Sequence, residues 1–154
     1  MTPQQIQLVQ QSYSKIVPIA DQAAGLFYTR LFETAPYVRP LFKGDMHEQG
    51  RKLMSVIGVA VVALDNLPEL VPIVRDLGRR HASYGVKDDH YDVVAEALLW
   101  TLEKGLGESF TDDVKEAWTS AYLLLANTMK GAAQDVAARD VRGALPFLSS
   151  ISDA

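Results

Sequence analysis

Four side chains in this sequence combine types and positions that suit chemistry at a metal. His81 lies in Leu77-Gly78-Arg79-Arg80-His81-Ala82-Ser83-Tyr84-Gly85-Val86-Lys87 and continues the apolar series Leu70, Val74, Leu77 at helical spacing, which turns its imidazole toward an interior. A neutral imidazole there can ligate a transition metal through Nε2, while its Nδ1–H needs an acceptor. The carbonyl of Leu77, one turn earlier, is a natural acceptor because its second lone pair is free of the helix ladder. Phe42, after Pro40-Leu41, offers a ring to pack against a flat ligand. Tyr28 and Gln49 offer a hydroxyl and an amide, and an amide is a poor metal ligand but a good donor. Each also has a plainer reading: a satisfied core histidine, an ordinary core phenylalanine, a packed tyrosine with a wet hydroxyl, a surface glutamine at a helix start.

Other chemistry finds less support. His90 sits beside Asp88 and Asp89 at a helix start, where an exposed polar role suits it. His47 precedes Gln49 by two positions, roughly 200° around a helix, so it faces out if Gln49 faces in. There is no Gly-rich phosphate loop followed by Lys-Ser or Lys-Thr and no His-Glu-x-x-His. Asp112 and Asp113 suit a helix N-terminus, where the dipole favours negative charge. The absence of cysteine excludes disulfides, thiolate metal sites and cysteine nucleophiles, and is compatible with a reducing cytoplasm.

The 154 residues, 48% of them apolar, suit one domain with a sizeable core. A net charge of −4 without a basic run argues against nucleic acid as a partner. The start, Met1-Thr2-Pro3-Gln4-Gln5, lacks a basic-then-apolar leader, and the longest apolar run, Val56 to Leu64, is far shorter than a membrane span. A cytoplasmic protein that does not enter a membrane is therefore expected.

Helical periodicity must position the four side chains. Thr2 and Gln5 read as a capping box with Pro3 at the first helical position, and Ile6, Val9, Tyr13 and Ile16 form the face of a helix ending near Pro18. A second helix, from about Pro18 to Glu33, carries Ala20, Ala23, Phe27 and Leu31. Pro36 and Pro40 require a turn, and Gly44-Asp45 a loop. The spacing predicts a helix from His47 to Asp65 with Gln49, Leu53, Val56, Ile57, Ala60 and Leu64 inward, then, after Asn66-Leu67-Pro68, the helix of His81, ended by Gly85. Asp88 is expected to cap a helix through Tyr91, Val94, Leu98 and Leu102, stopped by Gly105 and Gly107. Thr111 caps a long helix through Val114, Trp118, Ala121, Leu125 and Met129 that fades near Ala138. Residues 1–139 then form the domain, and residues 140–154 a tail that is either poorly ordered or docked as a short helix through Leu145, Phe147, Leu148 and Ile151. No alternating strand appears, so the fold class is all-α, with about seven or eight helices of uneven length.

From Tyr28 to Met129 the order and types of these residues resemble the globin family. The segment Pro36-Tyr37-Val38-Arg39-Pro40-Leu41-Phe42 resembles bacterial single-domain haemoglobins and flavohaemoglobin globin domains, and Gln49 to Ile57 resembles the distal helix of neuroglobin-like and bacterial globins. The resemblance implies a globin fold around haem b (iron protoporphyrin IX), with His81 as iron ligand backed by Leu77. Phe42 would stack on the haem. Gln49 stands where the vertebrate pattern has a distal histidine, a common bacterial departure that leaves the sixth site open in the ferrous state. Leu53 would limit ligand size, Lys52 (or Arg51) would pair with a propionate, and Tyr28 would donate to bound dioxygen. Val86 and Tyr91 would close the proximal side. In flavohaemoglobins the Tyr matching Tyr91 joins a glutamate on the last helix; here Ala133 falls opposite, with Asp135 nearby. The implied function is reversible binding of dioxygen, nitric oxide and carbon monoxide. Alternatives are nitric oxide dioxygenation with a separate reductase, since flavohaemoglobins carry a reductase domain that this sequence does not hold; gas or redox sensing through residues 140–154; and a haemless regulatory domain.

Overall fold

The computed structural model describes the backbone of residues 1–147 and the side chains of residues 1–135. Within them, six α-helices and four short 3-10 segments alternate, with no strand. The first, α1 (Pro3–Ile16), begins at the expected capping box: Thr2 Oγ1 accepts from Gln5 N at 3.1 Å, and Gln5 Oε1 accepts from Thr2 N at 3.0 Å. Those two bonds satisfy donors that a helix start otherwise leaves free. A 3-10 turn (Val17–Ile19) leads into α2 (Ala20–Thr34), which buries Ala23, Ala24, Phe27, Tyr28 and Leu31. The two-proline turn is a 3-10 segment, Pro36–Leu41.

Helix α3 (Met46–Val62) starts at Asp45, whose carboxylate accepts from His47 N, and tightens into a 3-10 turn, Ala63–Asp65, at its end. Val56 corrects the expected inward stripe, being 42% exposed while Ala60 and Leu64 are buried. It precedes Ile57 by one position, about 100° off that stripe. Helix α4 (Leu67–Ser83) buries Leu70, Val74 and Gly78, and Gly85, at φ +94°, turns the chain after it.

Helix α5 (His90–Leu106) is not capped by the Asp88 side chain. Asp88 sits too far before the first helical residue, and its backbone carbonyl accepts from Tyr91 N instead. Gly105 does not stop α5; it lies inside the helix, and the chain turns at Gly107, at φ +57°. Helix α6 (Asp112–Phe147) opens with Thr111 Oγ1 accepting from Val114 N at 3.2 Å. It continues past Ala138 because a helical ladder needs no apolar stripe and Ala and Arg favour it. The expected docking of Leu145, Phe147, Leu148 and Ile151 falls outside the described side chains.

The expected seven or eight helices are thus six α-helices, with the short connections forming 3-10 turns. The main packing pairs are α4 on α6, α2 on α5, α1 on α6 and α2 on α3. Two apolar clusters result. The larger joins α1, α3, α4, α5 and α6 around Val9, Leu64, Leu70 and Trp118; the smaller gathers Phe27, Tyr28, Leu31, Val38 and Ala97, with Phe42 and Leu53 against it. Leu98 packs on both.

Candidate functional site

His81 rides on the last turn of α4, on the face that buries Val74 and Gly78. Its Nδ1 lies 2.8 Å from the Leu77 carbonyl oxygen. A carbonyl only accepts, so Nδ1 carries the proton and Nε2 keeps its lone pair for a metal. Burial lowers the ring's pKa, and the neighbouring Arg80 charge acts the same way; the Leu77 hydrogen bond opposes them. The neutral imidazole, the form that ligates, is favoured. Val86 N donates back to the His81 carbonyl at 3.0 Å and closes the turn beneath it.

A second group of candidate residues is aromatic. Tyr28 is buried on α2, edge-on to Phe27 and Phe42 with centroids 5.1 and 5.4 Å away, and stacked on Phe32 at 5.9 Å. Its hydroxyl donates to the backbone carbonyl of Gln49 at 3.3 Å. Burial pushes the Tyr28 phenol up to about 12, so it is a protonated donor at neutral pH. Gln49 is half-buried in the first turn of α3, and its Nε2 donates to the Lys43 carbonyl at 2.9 Å. That uses one of the two N–H groups of the amide. Gly50 makes this approach of α3 to α2 feasible, because a Cβ there would stand 2.9 Å from Ala24 Cβ. Leu53, one turn on, is half-buried against the Phe27–Tyr28 cluster. Lys52 is exposed, and Arg51 is paired with Glu48 at 3.1 Å.

Tyr91 is buried at the start of α5. Two partners on α6 were not legible beforehand: Tyr122, whose hydroxyl donates to the Tyr91 carbonyl at 2.6 Å, and Lys130, whose Nζ lies 5.5 Å from the Tyr91 ring centroid. Ala133 is half-buried, and Asp135 pairs with Arg75 on α4. His47 is exposed, and His90 Nδ1 accepts from Lys87 N at 3.0 Å, a local helix-start role.

Behind Leu53 lies a cavity of about 20 Å³ bordered by Phe27, Ile57, Leu98, Thr101 and Trp118. Its polar neighbours are engaged elsewhere: Thr101 Oγ1 donates to Ala97 O at 2.8 Å, and Trp118 Nε1 to Ser12 Oγ at 2.8 Å. The wall it presents is hydrocarbon.

Helix arrangement and sequence agree with known proteins. The globin family profile matches residues 25–129. The flavohemoprotein of Bacillus subtilis is 30% identical over 127 residues, which cover 78% of this chain and 32% of that protein. The flavohemoprotein of Halalkalibacterium halodurans is 36% identical over 104 residues, covering 66% of this chain and 25% of that one. The chain therefore spans a third or less of the length of these curated relatives. Among solved structures, an engineered carbene transferase built on an inferred nitric oxide dioxygenase of Rhodothermus marinus superposes with a TM-score of 0.81 at 29% identity, over 90% of this chain and 96% of that one. A profile match over most of the chain, on an all-α scaffold, means that the chain belongs to the globin family.

Proposed function

We propose that this globin holds haem b through His81 and binds dioxygen and other diatomic gases reversibly. One observation carries the reading: the Nδ1 of a half-buried, neutral-favoured His81 is committed to the Leu77 carbonyl at 2.8 Å, which leaves Nε2 as a ready metal ligand. The donor set fits the group, with one imidazole, an aromatic and aliphatic surround, and no thiolate. When bound, haem would supply an iron that takes up a small gas, and His81 would be the side chain that holds it. Phe42, Leu53, Leu77 and Val86 would pack on the ring, with Tyr91 behind, and the exposed Lys52 would meet a propionate at the rim. Tyr28 would turn its one proton from the Gln49 carbonyl to the ligand, and Gln49 would contribute its second amide N–H.

The test is haem titration of the haem-free protein, followed by visible spectra in the ferric, reduced, oxygen-exposed and carbon monoxide forms. His81→Ala is expected to abolish a normal carbon monoxide spectrum and weaken haem retention, and His90→Ala to leave both unchanged. A His81→Ala protein with a normal spectrum would sink the assignment.

A second reading, nitric oxide dioxygenation, is favoured by the likeness to the Rhodothermus marinus protein, an inferred nitric oxide dioxygenase. It requires electrons from a separate reductase. Steady nitrate formation from nitric oxide and dioxygen, sustained by an added reductase, would support it. On α6 the Asp135 carboxylate is engaged by Arg75 and position 133 is an alanine, which supports gas retention over bond activation.

A further inference from the structure

The glycine at position 78 interrupts an otherwise ordinary helix. A Gly in a helix interior is less stable there than Ala, so a reason for it lies in its surroundings. Gly78 is buried where α4 crosses α6. A Cβ built on it would stand 2.5 Å from the Met129 carbonyl oxygen and 2.6 Å from Met129 Cα. Among the described glycines, Gly50 and Gly105 also lack room for a Cβ, but their neighbours are side chains, Ala24 and Ile16. Only at Gly78 is the obstacle backbone, which cannot step aside by changing a rotamer.

The position of this contact gives it a consequence. His81 follows Gly78 by three residues, about 4.5 Å along the same helix and on the same face. Leu77, whose carbonyl holds the imidazole, is adjacent to Gly78. Helix backbone is stiff over one turn, so the distance of α4 from α6 at this point also sets where the imidazole stands relative to α6.

We propose that Gly78 is the positioning residue for the His81 imidazole: its missing Cβ seats the α4 backbone on the α6 backbone at Met129, and that seat sets where Nε2 is presented. The proposal rests on the reading of His81 as the metal ligand. Restoring ordinary contact, at 3.4 Å or more, would require α4 to withdraw by about 1 Å, enough to strain or lengthen a metal bond made one turn away.

The experiment compares Gly78→Ala with Gly105→Ala, which meets the Ile16 side chain at 2.8 Å, and with Gly131→Ala, which meets nothing within 4 Å. Two signals are read. In the haem-free full chain, ¹⁵N shifts of the His81 ring report its tautomer and its bond to Leu77. In the loaded ferrous protein, the iron–histidine stretching band reports the metal bond. Gly78→Ala is expected to shift both; Gly105→Ala, even with a matching fall in melting temperature, and Gly131→Ala are expected to shift neither. A folded Gly78→Ala protein with both signals unmoved overturns the proposal, as does an equal shift from Gly105→Ala. Should Gly78→Ala not fold, cross-relaxation between the α-protons of Gly78 and Met129 in the wild-type chain decides the seat: a strong signal is expected, and its absence overturns the proposal. If the wild-type chain takes up no haem, the haem reading fails while the ¹⁵N comparison still decides the contact.

Discussion

Tyr28→Phe removes one oxygen atom from the distal wall, and the structure allows its effect to be worked out. In the structure the hydroxyl donates to the Gln49 carbonyl at 3.3 Å, a long bond between neutral groups. Such a bond contributes about 0.5 kcal/mol, the weak end of the usual range. Its loss costs the fold little, because a carbonyl in the first turn of α3 retains its helical partner. Donation to bound dioxygen, which carries partial negative charge, is stronger, about 1.5–3 kcal/mol. The hydroxyl has one proton, so it must leave the first acceptor to serve the second, and the net gain is about 1–2.5 kcal/mol, a factor of roughly 5 to 60 in retention. A phenol raised to about 12 remains protonated and able to donate throughout the neutral range. Bound carbon monoxide carries less charge and should gain little. Stopped-flow release rates for both gases, in wild type and Tyr28→Phe, are the assay: oxygen should leave 5- to 60-fold faster, with a much smaller change for carbon monoxide. Gln49→Leu should act in the same direction, without strict additivity, because both donors converge on one small ligand. Equal effects on the two gases, or none on oxygen, would refute a polar distal cage and leave gas handling resting on fold alone.

Further outcomes follow from other contacts. Because His47 is exposed, ferrous protein without gas should be five-coordinate and high-spin, and His47→Ala should not alter its spectrum; a six-coordinate spectrum lost in that variant would contradict the α3 register. Tyr28 has a folded pKa above its unfolded value of 10.0, so its contribution to stability is complete below pH 10 and lost as pH rises toward about 12. Urea unfolding across that window should show a decline that is shallower in Tyr28→Phe. Trp118→Phe deletes the buried bond from Nε1 to Ser12 Oγ while Ser12 keeps its bond to the Leu8 carbonyl at 2.7 Å. A loss of about 1–3 kcal/mol in urea unfolding is expected, with gas release rates unchanged.

Local rules made much of this molecule readable. The Thr2–Gln5 box, the Thr111 cap and the turn glycines Gly85 and Gly107 depend on neighbours in sequence, and each appears as spacing requires. The Leu77–His81 bond is of the same kind, since a helix places one turn's carbonyl beside the next turn's side chain. What escaped depends on partners from elsewhere in the chain. Periodicity alone misjudged Val56, because an apolar residue beside a stripe looks much like one within it. Gly105 read as a stop, yet the packing of Ile16 against it keeps it helical. Lys130 over Tyr91, Tyr122 on the Tyr91 carbonyl and the Gly78–Met129 seat all join α6 to α4 or α5, pairings that no window of sequence contains.

That division also bears on how the site is built. Tyr28, Phe42 and Leu53 belong to the small cluster, whereas Leu77 and Val86 pack into the large cluster with α6. Leu98 on α5 touches both, so α5 joins the two clusters. Tyr91 on the same helix is held by Tyr122 and approached by Lys130 of α6. Distal donors can therefore be altered with little disturbance to His81, as Tyr28→Phe requires, because the perturbation stays within the smaller cluster. A change at the α4–α6 crossing should instead act on the turn of α4 that carries Leu77 and His81. Distal substitutions should separate oxygen from carbon monoxide, whereas proximal displacement should weaken the iron–histidine bond for every ligand state alike.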